Sequence, residues 1–227
     1  MKALYVNNAS NKLKNGAQLG IDPTTAKLKR SFDVIVSFTA LIITLPILPF
    51  IALAIKLESK GDILFQQMRI GLATPEMTQI FYMFKFRTMR QDAEAKSGAV
   101  WAGKNDPRIT RVGKFLRKTR LDEIPQLINV LKGEMSLIGP RPERPGFYKK
   151  LDNAIPYFAE RTYYVKPGIT GLAQVNQGYD TCLDDVRSKV GFDHSYAMAL
   201  FNPISWLKMD CWIALKTILV MVLGRGQ

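Results

Sequence analysis

The sequence is short of the residues that most often carry covalent and redox chemistry. It has two cysteines, Cys182 and Cys211, and one histidine, His194. Two cysteines make no disulfide framework and no metal-binding pattern, so both are expected to be reduced thiols. A Ser-His or Cys-His nucleophile would have to use His194, and no supporting motif surrounds it. Zinc-finger spacing and an aromatic RNA-binding signature are both missing. Acidic residues are scarce beside basic ones: 19 Asp and Glu against 32 Lys and Arg, for a net charge of +13. That balance suits an anionic lipid surface, a phosphate-bearing substrate or nucleic acid. A secretory signal is not expected, because the first long apolar run starts late and no small-residue cleavage site follows it.

That apolar run is the most informative feature present. Val34 to Ile55 is uncharged over 22 residues. At about 1.5 Å per residue it is long enough for a bilayer core of roughly 30 Å. Lys27, Lys29 and Arg30 precede it, and Lys56, Lys60 and Arg69 follow it. Positive charge collects on the cytoplasmic side of a membrane segment, so both ends are candidates for the same side. Pro46 and Pro49 interrupt the run, and a mid-helix proline breaks or kinks a helix. One reading is a helix–break–helix that enters one leaflet and returns. The other is a straight or kinked single-pass anchor. Either way lipid is a better partner than nucleic acid.

The remaining sequence fits one domain of ordinary size. Hydrophobic residues make up 47%, enough for a packed core. Mean hydropathy is −0.02, so most of the chain is not embedded. The division expected is a flexible lead over 1–26, the membrane segment over 27–60 and a cytoplasmic domain over 61–227. The fold class expected is α/β: mostly helical, with short strands and a hairpin. Ile80 to Phe84 has strand character, with a turn at Gly71 before it. Residues 90–110 read as a loop, with a short helix over Gln91 to Lys96. Arg111 to Lys132 has helical spacing, a restart at Pro125 and a stop at Gly133. Lys166 to Gly171 reads as a turn before a strand-like Leu172 to Val175. Trp206 to Leu223 is apolar but carries Lys208, Asp210 and Lys216. It reads as an interfacial amphipathic helix with Trp206 and Trp212 at headgroup level.

Three groups of residues have chemical potential. Asp122-Glu123 follows Arg117, Lys118 and Arg120 and precedes Pro125. Acids in a first helical turn are common, because the helix dipole favours them. A carboxylate held among cations can also act as a nucleophile, and two neighbouring carboxylates can share a magnesium ion brought by a diphosphate. Arg141 lies between Pro140 and Pro142, with Arg144 close by. Guanidinium suits phosphate, and flanking prolines reduce the entropy lost on binding; a surface loop with structural salt bridges is the plainer reading. Phe65 to Gly71 and Lys85 to Met89 form a basic pair of stretches that could lie over lipid headgroups. Asp180, Asp184 and Asp185 read as a solvated loop or helix cap rather than metal ligands.

Taken together these motifs resemble the bacterial sugar transferase family, the monotopic phosphoglycosyl transferases that prime glycan and exopolysaccharide assembly on polyprenol phosphate. The resemblance runs from about Lys29 to the C-terminus. It includes Lys29 to Asp33, the proline-broken segment, Phe65 to Gly71, Lys85 to Met89 and Asn105 to Thr110. It continues through Leu121 to Leu127, Asn129 to Ser136, Gly139 to Pro142 and Lys166 to Gly171. The family usually has a Gly/Lys-rich hairpin where this chain has Leu72 to Gln79. The resemblance implies a re-entrant membrane helix broken at Pro46 and Pro49, and a catalytic pair at Asp122 and Glu123. Asp122 would attack the β-phosphate of a UDP-sugar with Mg²⁺ present, and UMP would leave. Polyprenol phosphate, such as undecaprenyl phosphate, would then take the phosphosugar from the enzyme. The candidate substrate-binding residues are Arg141, Arg117, Arg87, Lys85 and Arg144, and Asp122 and Glu123 are the candidate metal ligands. The expected location is the cytoplasmic face of the bacterial inner membrane, against anionic lipid, without nucleic acid, as a monomer or homodimer. The rival from another class is a non-enzymatic, membrane-tethered basic module, in which Asp122 and Glu123 are dispensable.

Overall fold

A computed structural model of the chain describes residues 21–93, 106–177 and 183–222. Part of the helix expected over Gln91 to Lys96, and Asp180, lie outside them. The first helix, α1 (Pro23–Thr44), begins inside the stretch read as a lead. Asp22 explains the start: its carboxylate accepts from the Thr25 N–H at 2.8 Å, and Pro23 occupies the first turn. Both are favoured at a helix N-terminus. A 3₁₀ turn, Leu45–Ile47, and α2 (Leu48–Glu58) follow. Pro46 sits in that turn and Pro49 in the first turn of α2. The backbone stays right-handed through Thr44, Leu45 and Ile47, so the break is a helical joint rather than an extended loop.

Pro23 to Glu58 together are 36 residues, long and apolar enough to cross a membrane. Phe38, Ile42, Ile43, Leu45 and Phe50 are exposed around the proline joint. Both ends of this segment are fastened to the rest of the protein. On α1, Arg30 donates to the carbonyls of Val130 and Leu131 at 2.6 and 2.8 Å. Asp33 is buried and accepts from Ser136 Oγ and the Leu137 N–H. On α2, Ile51 and Ile55 pack with Phe86 and Leu116. Glu58 accepts the backbone N–H groups of Arg111 and Val112 at 2.7 and 2.9 Å.

Strands β1 (Leu64–Ala73) and β2 (Thr78–Phe86) form an antiparallel hairpin. Strand β1 continues past Gly71, where a turn was expected; its register shifts between Ile70 and Ala73. The chain reverses at Thr74–Met77, where the Thr74 hydroxyl accepts the Glu76 and Met77 N–H groups. Thr74 and Glu76 therefore build a turn that contains no glycine.

Next come α3 (Arg111–Lys118), a 3₁₀ turn (Leu121–Glu123) and α4 (Gln126–Lys132). Thr110 caps α3, and Gly133 ends α4 at φ 82°. Gly113 is required where it stands: a Cβ there would lie 2.1 Å from the Thr88 carbonyl oxygen. Asn129 is fully buried and ties α4 to β2, accepting from the Phe84 N–H and donating to the Tyr82 carbonyl.

A second sheet pairs β3 (Ser136–Ile138) in parallel with β4 (Gly168–Thr170). Between them lie α5 (Pro145–Ala154) and a 3₁₀ turn, Glu160–Thr162. Leu172 to Val175 are helical rather than strand-like, in α6 (Leu172–Asn176). The strand forms one step earlier, where Gly168 and Thr170 find β3 as partner; a four-residue apolar run has no period to distinguish the two. The chain continues through α7 (Leu183–Ala199) and α8 (Pro203–Val222). The architecture is thus α/β, mostly helical with two small sheets.

Helix α8 departs from expectation at Trp206. That side chain is buried, and its indole N–H donates to Asp210 at 2.7 Å. Asp210 also accepts from Tyr196 and pairs with Lys29 of α1 at 2.9 Å. The charge that interrupts the apolar pattern thus faces inward, and it draws the Trp206 donor with it. Trp212 is exposed, with Lys216 over its ring.

Candidate active site

Asp122 and Glu123 occupy the 3₁₀ turn between α3 and α4, not the first turn of a longer helix. Arg120, just before them, takes a left-handed backbone at φ 57°. A non-glycine residue there is strained, and this one redirects the chain between two helices. Ile124 and Leu121 pack into the same apolar cluster as Ile51 and Ile55 of α2. The acidic turn is therefore built directly on the inner end of the apolar segment.

The two carboxylates have different surroundings. Glu123 forms an ion pair with Lys85 of β2 at 2.7 Å, and Arg120 lies 3.9 Å away. Asp122 is 6% exposed, and its buried Oδ1 has no hydrogen-bond partner among the described residues. Burial is the main cause that lifts the Asp122 carboxyl, to about 6; Glu123 adds to the rise, and Lys85, Arg117 and Arg120 oppose it. Burial pushes Glu123 up as well, but Lys85, Arg141 and Arg120 outweigh it and hold it down at about 2. Two adjacent acids are thus separated: one is neutralised by a lysine, and the other is left with an uncommitted oxygen. Buried polar atoms without partners are uncommon in folded proteins and mark candidate sites.

The other candidates divide. Lys85 faces the acidic pair. Arg117 donates its Nε to the Thr88 hydroxyl at 2.9 Å and acts on Asp122 through its charge. Arg141 acts on Glu123 and Lys85, so the Pro-Arg-Pro turn lies beside the pair. That turn is held from both sides: the Pro142 carbonyl accepts from Arg69 at 2.8 Å, and the Pro140 carbonyl from the Gly168 N–H at 2.9 Å. Arg144 stands at the start of α5, over the Phe147 ring. Arg87 is buried elsewhere; its terminal nitrogens bind Ser59 and the Lys60 carbonyl at the end of α2. Asp184 and Asp185 sit in the first turn of α7, where Asp184 pairs with Arg187 in the open. His194 contacts the Tyr157 carbonyl.

Three residues near the pair or the Pro-Arg-Pro turn were not separable in the sequence. Arg69 reads there as a flanking charge, yet it comes to the Pro-Arg-Pro turn. Gln126 is buried three residues after Glu123, with its Nε2 unpaired. Gln174 on α6 has an unpaired amide in a pocket it shares with Arg141 and Lys189. A glutamine has no distinctive signal in a single sequence, because most are solvated.

Among the described residues no group of three or more His, Cys, Asp and Glu side chains is preformed to hold a metal. Magnesium commonly binds one or two carboxylates, with water and substrate phosphates completing its shell. The unpaired Asp122 oxygen fits such a role. Glu123 fits it less fully, with one oxygen committed to Lys85.

The bacterial sugar transferase family profile matches residues 24–224. A UDP-N-acetylgalactosamine-undecaprenyl-phosphate N-acetylgalactosaminephosphotransferase from Aeromonas hydrophila is 43% identical over 204 residues, 90% of this chain and 46% of that protein. An exopolysaccharide production protein from Rhizobium leguminosarum bv. phaseoli is 45% identical over 208 residues, 88% of this chain and 97% of that protein. A UDP-glucose:undecaprenyl-phosphate glucose-1-phosphate transferase from Escherichia coli is 41% identical over 171 residues, 74% of this chain and 36% of that protein. The chain thus spans less than half the length of the Aeromonas and Escherichia proteins and nearly all of the Rhizobium one. With the match running from α1 through α8, the chain belongs to the bacterial sugar transferase family.

Proposed function

We propose that the protein moves a sugar-1-phosphate from a UDP-sugar to a polyprenol phosphate, such as undecaprenyl phosphate, and releases UMP. The observation that carries the reading is the buried Asp122 carboxylate, unpaired on one oxygen and surrounded by Lys85, Arg117 and Arg120. In the first step an Asp122 oxygen attacks the β-phosphorus of the UDP-sugar. The bond from that phosphorus to the bridging oxygen breaks, and UMP leaves with the oxygen. A phosphosugar remains on Asp122 as an acyl phosphate. In the second step a phosphate oxygen of the polyprenol attacks the same phosphorus and frees the carboxylate. No proton needs to be abstracted in either step, which suits a site without a histidine. Phosphoryl transfer depends mainly on positioning and on neutralising charge. Arg141 and Lys85 supply cationic charge from this chain. Magnesium, held by Asp122 with a contribution from Glu123, would neutralise the diphosphate further.

The membrane segment fits the same reading as a re-entrant anchor on the cytoplasmic face. Its support is that α1 and α2 are both fastened to the same body, with the exposed apolar residues between them. Such an anchor, with the exposed side of α8, would hold Asp122 at headgroup depth, where a polyprenol phosphate keeps its phosphate. Thr24→Cys and Lys60→Cys, in a background without Cys182 and Cys211, should both react with an impermeant maleimide in inverted inner-membrane vesicles and not in intact cells. Labelling from opposite sides would make the segment a single pass.

The reaction is tested by incubating detergent-solubilised protein with a panel of UDP-sugars and magnesium. UMP release, with a protein-bound sugar-phosphate formed before any polyprenol phosphate is added, is the expected result. UMP release that requires both substrates together would exclude the covalent route. No release from any donor would favour the basic-module alternative, which assigns no role to a buried carboxylate.

A further inference from the structure

A small pocket lies beside the acidic pair, between the hairpin, α4 and the Pro-Arg-Pro turn. Arg69, Lys85, Gln126, Arg141, Pro142 and Gly168 contribute to its wall. The charged residues in that wall are cations. Two residues of that wall each carry a buried donor that is uncommitted among the described residues. Gln126 is 3% exposed, and its Nε2 has no hydrogen-bond partner. Arg69 uses its terminal nitrogens on the Pro142 carbonyl and on Gln67 Oε1, at 2.8 and 2.6 Å, and its buried Nε is left unpaired.

A buried donor without an acceptor costs roughly 1–3 kcal/mol. Two in one pocket are a standing destabilisation that an incoming acceptor would remove. The charge around them selects the acceptor. Burial first, and then the neighbouring charge of Arg141, push the Arg69 guanidinium down to about 9, so the pocket already disfavours further positive charge. A neutral hydroxyl would satisfy the donors and still place no anion within a wall whose charged members, Arg69, Lys85 and Arg141, are all cations. An anionic oxygen satisfies both. Lys85 links the pocket to the acidic pair, because the same ammonium binds Glu123.

We propose that this pocket is the oxyanion site for the transferred phosphoryl group: Gln126 Nε2 and Arg69 Nε donate to its non-bridging oxygens. The proposal rests on Asp122 as the nucleophile. The same phosphoryl group is present when Asp122 gains it and when Asp122 gives it up. Both half-reactions therefore use the two donors. A residue that only held the uridine end would affect the first half-reaction alone.

The test is Gln126→Met, which keeps length and apolar bulk and removes the donor, with Gln126→Glu as a companion that replaces the donor with a negative charge. Thermal unfolding checks that each folds. Adduct formation from a UDP-sugar and discharge of the adduct by polyprenol phosphate are timed separately in single turnovers. Gln126→Met should slow both by roughly 100- to 1,000-fold, with KM changed far less. Gln126→Glu should be slower still. A Gln126→Met protein that forms the adduct at the wild-type rate, or is slowed in one half-reaction only, overturns the proposal. A second arm uses inorganic pyrophosphate at constant ionic strength and follows the unfolding temperature. Wild type should be stabilised more than Gln126→Met; equal shifts overturn the proposal. If wild type forms no adduct from any donor, the proposed reaction fails, and the pyrophosphate arm alone decides whether the pocket takes an anion.

Discussion

Asp122→Asn should abolish turnover and the covalent adduct while making the protein harder to unfold at neutral pH. The first effect follows from the chemistry. An amide oxygen keeps the size of the carboxylate but not the charge that makes it a nucleophile. The second follows from burial. The carboxyl titrates near 3.8 in an unfolded chain and near 6 in the fold. A raised acid means that the folded state holds the proton more tightly. Above pH 6 the carboxylate is ionised in both states, and the folded protein bears the whole cost of burying it. Between pH 6 and 3.8 protonation relieves that cost, and below 3.8 none remains. A shift of this size corresponds to about 3 kcal/mol, and roughly 1–3 is expected in practice. The unfolding temperature of Asp122→Asn should therefore exceed that of wild type at pH 7.5, with the gain fading toward pH 4. The same titration predicts that adduct formation by wild type rises as pH increases through about 6. An adduct that still accumulates on Asp122→Asn would remove Asp122 as nucleophile. A variant less stable than wild type at pH 7.5 would contradict the electrostatic account.

Lys85→Met should give the largest loss of stability among the site variants, roughly 3–5 kcal/mol, because it leaves the Glu123 carboxylate buried without its closest cation. The sign of the pH dependence separates this from lost packing. Glu123 is held at about 2, below its unfolded 4.5, so its pairing contributes stability that is complete above 4.5 and disappears as pH falls toward 2. Lys85→Met should therefore be most destabilised at neutral pH and approach wild type in acid. Adding Glu123→Gln should restore most of the loss at neutral pH without restoring activity. Urea unfolding of the wild type, both single variants and the double variant, at pH 7 and pH 3, measures this directly. Additive losses in the double variant would mean that the Lys85–Glu123 pair contributes little.

Much of the candidate site was legible because its residue types are rare in their contexts. Two adjacent acids among arginines, and an arginine between prolines, stand out in a chain with net charge +13. The helix limits were legible where a local group sets them, as at Pro125 and Gly133. Arg87 and Arg69 show where local reading stops. Arg69 lies on β1 and Arg87 one residue past β2, and in the sequence Arg87 is the candidate substrate-binding residue and Arg69 a flanking charge. The structure commits Arg87 to the end of α2 and brings Arg69 to the Pro-Arg-Pro turn. Trp206 and Asp210 show the same limit on α8, where an inward-facing acid reverses the side that composition assigns to the tryptophan.

The sequence by itself determined the chemistry available to this protein and the family pattern that carries it: an apolar segment broken by two prolines, an acidic pair and a fixed arginine, with little histidine or cysteine. These are properties of residue type and short-range order, which survive without coordinates. Only the tertiary structure decided which of two neighbouring carboxylates is neutralised and which keeps a free oxygen. That choice depends on Lys85, 38 residues away in sequence, reaching Glu123 across the packing of β2 on the acidic turn. It also decided that both ends of the apolar segment rest on one body and that Gln126 faces inward unpaired. Burial and long-range pairing set those outcomes, and neither has a signature in local sequence.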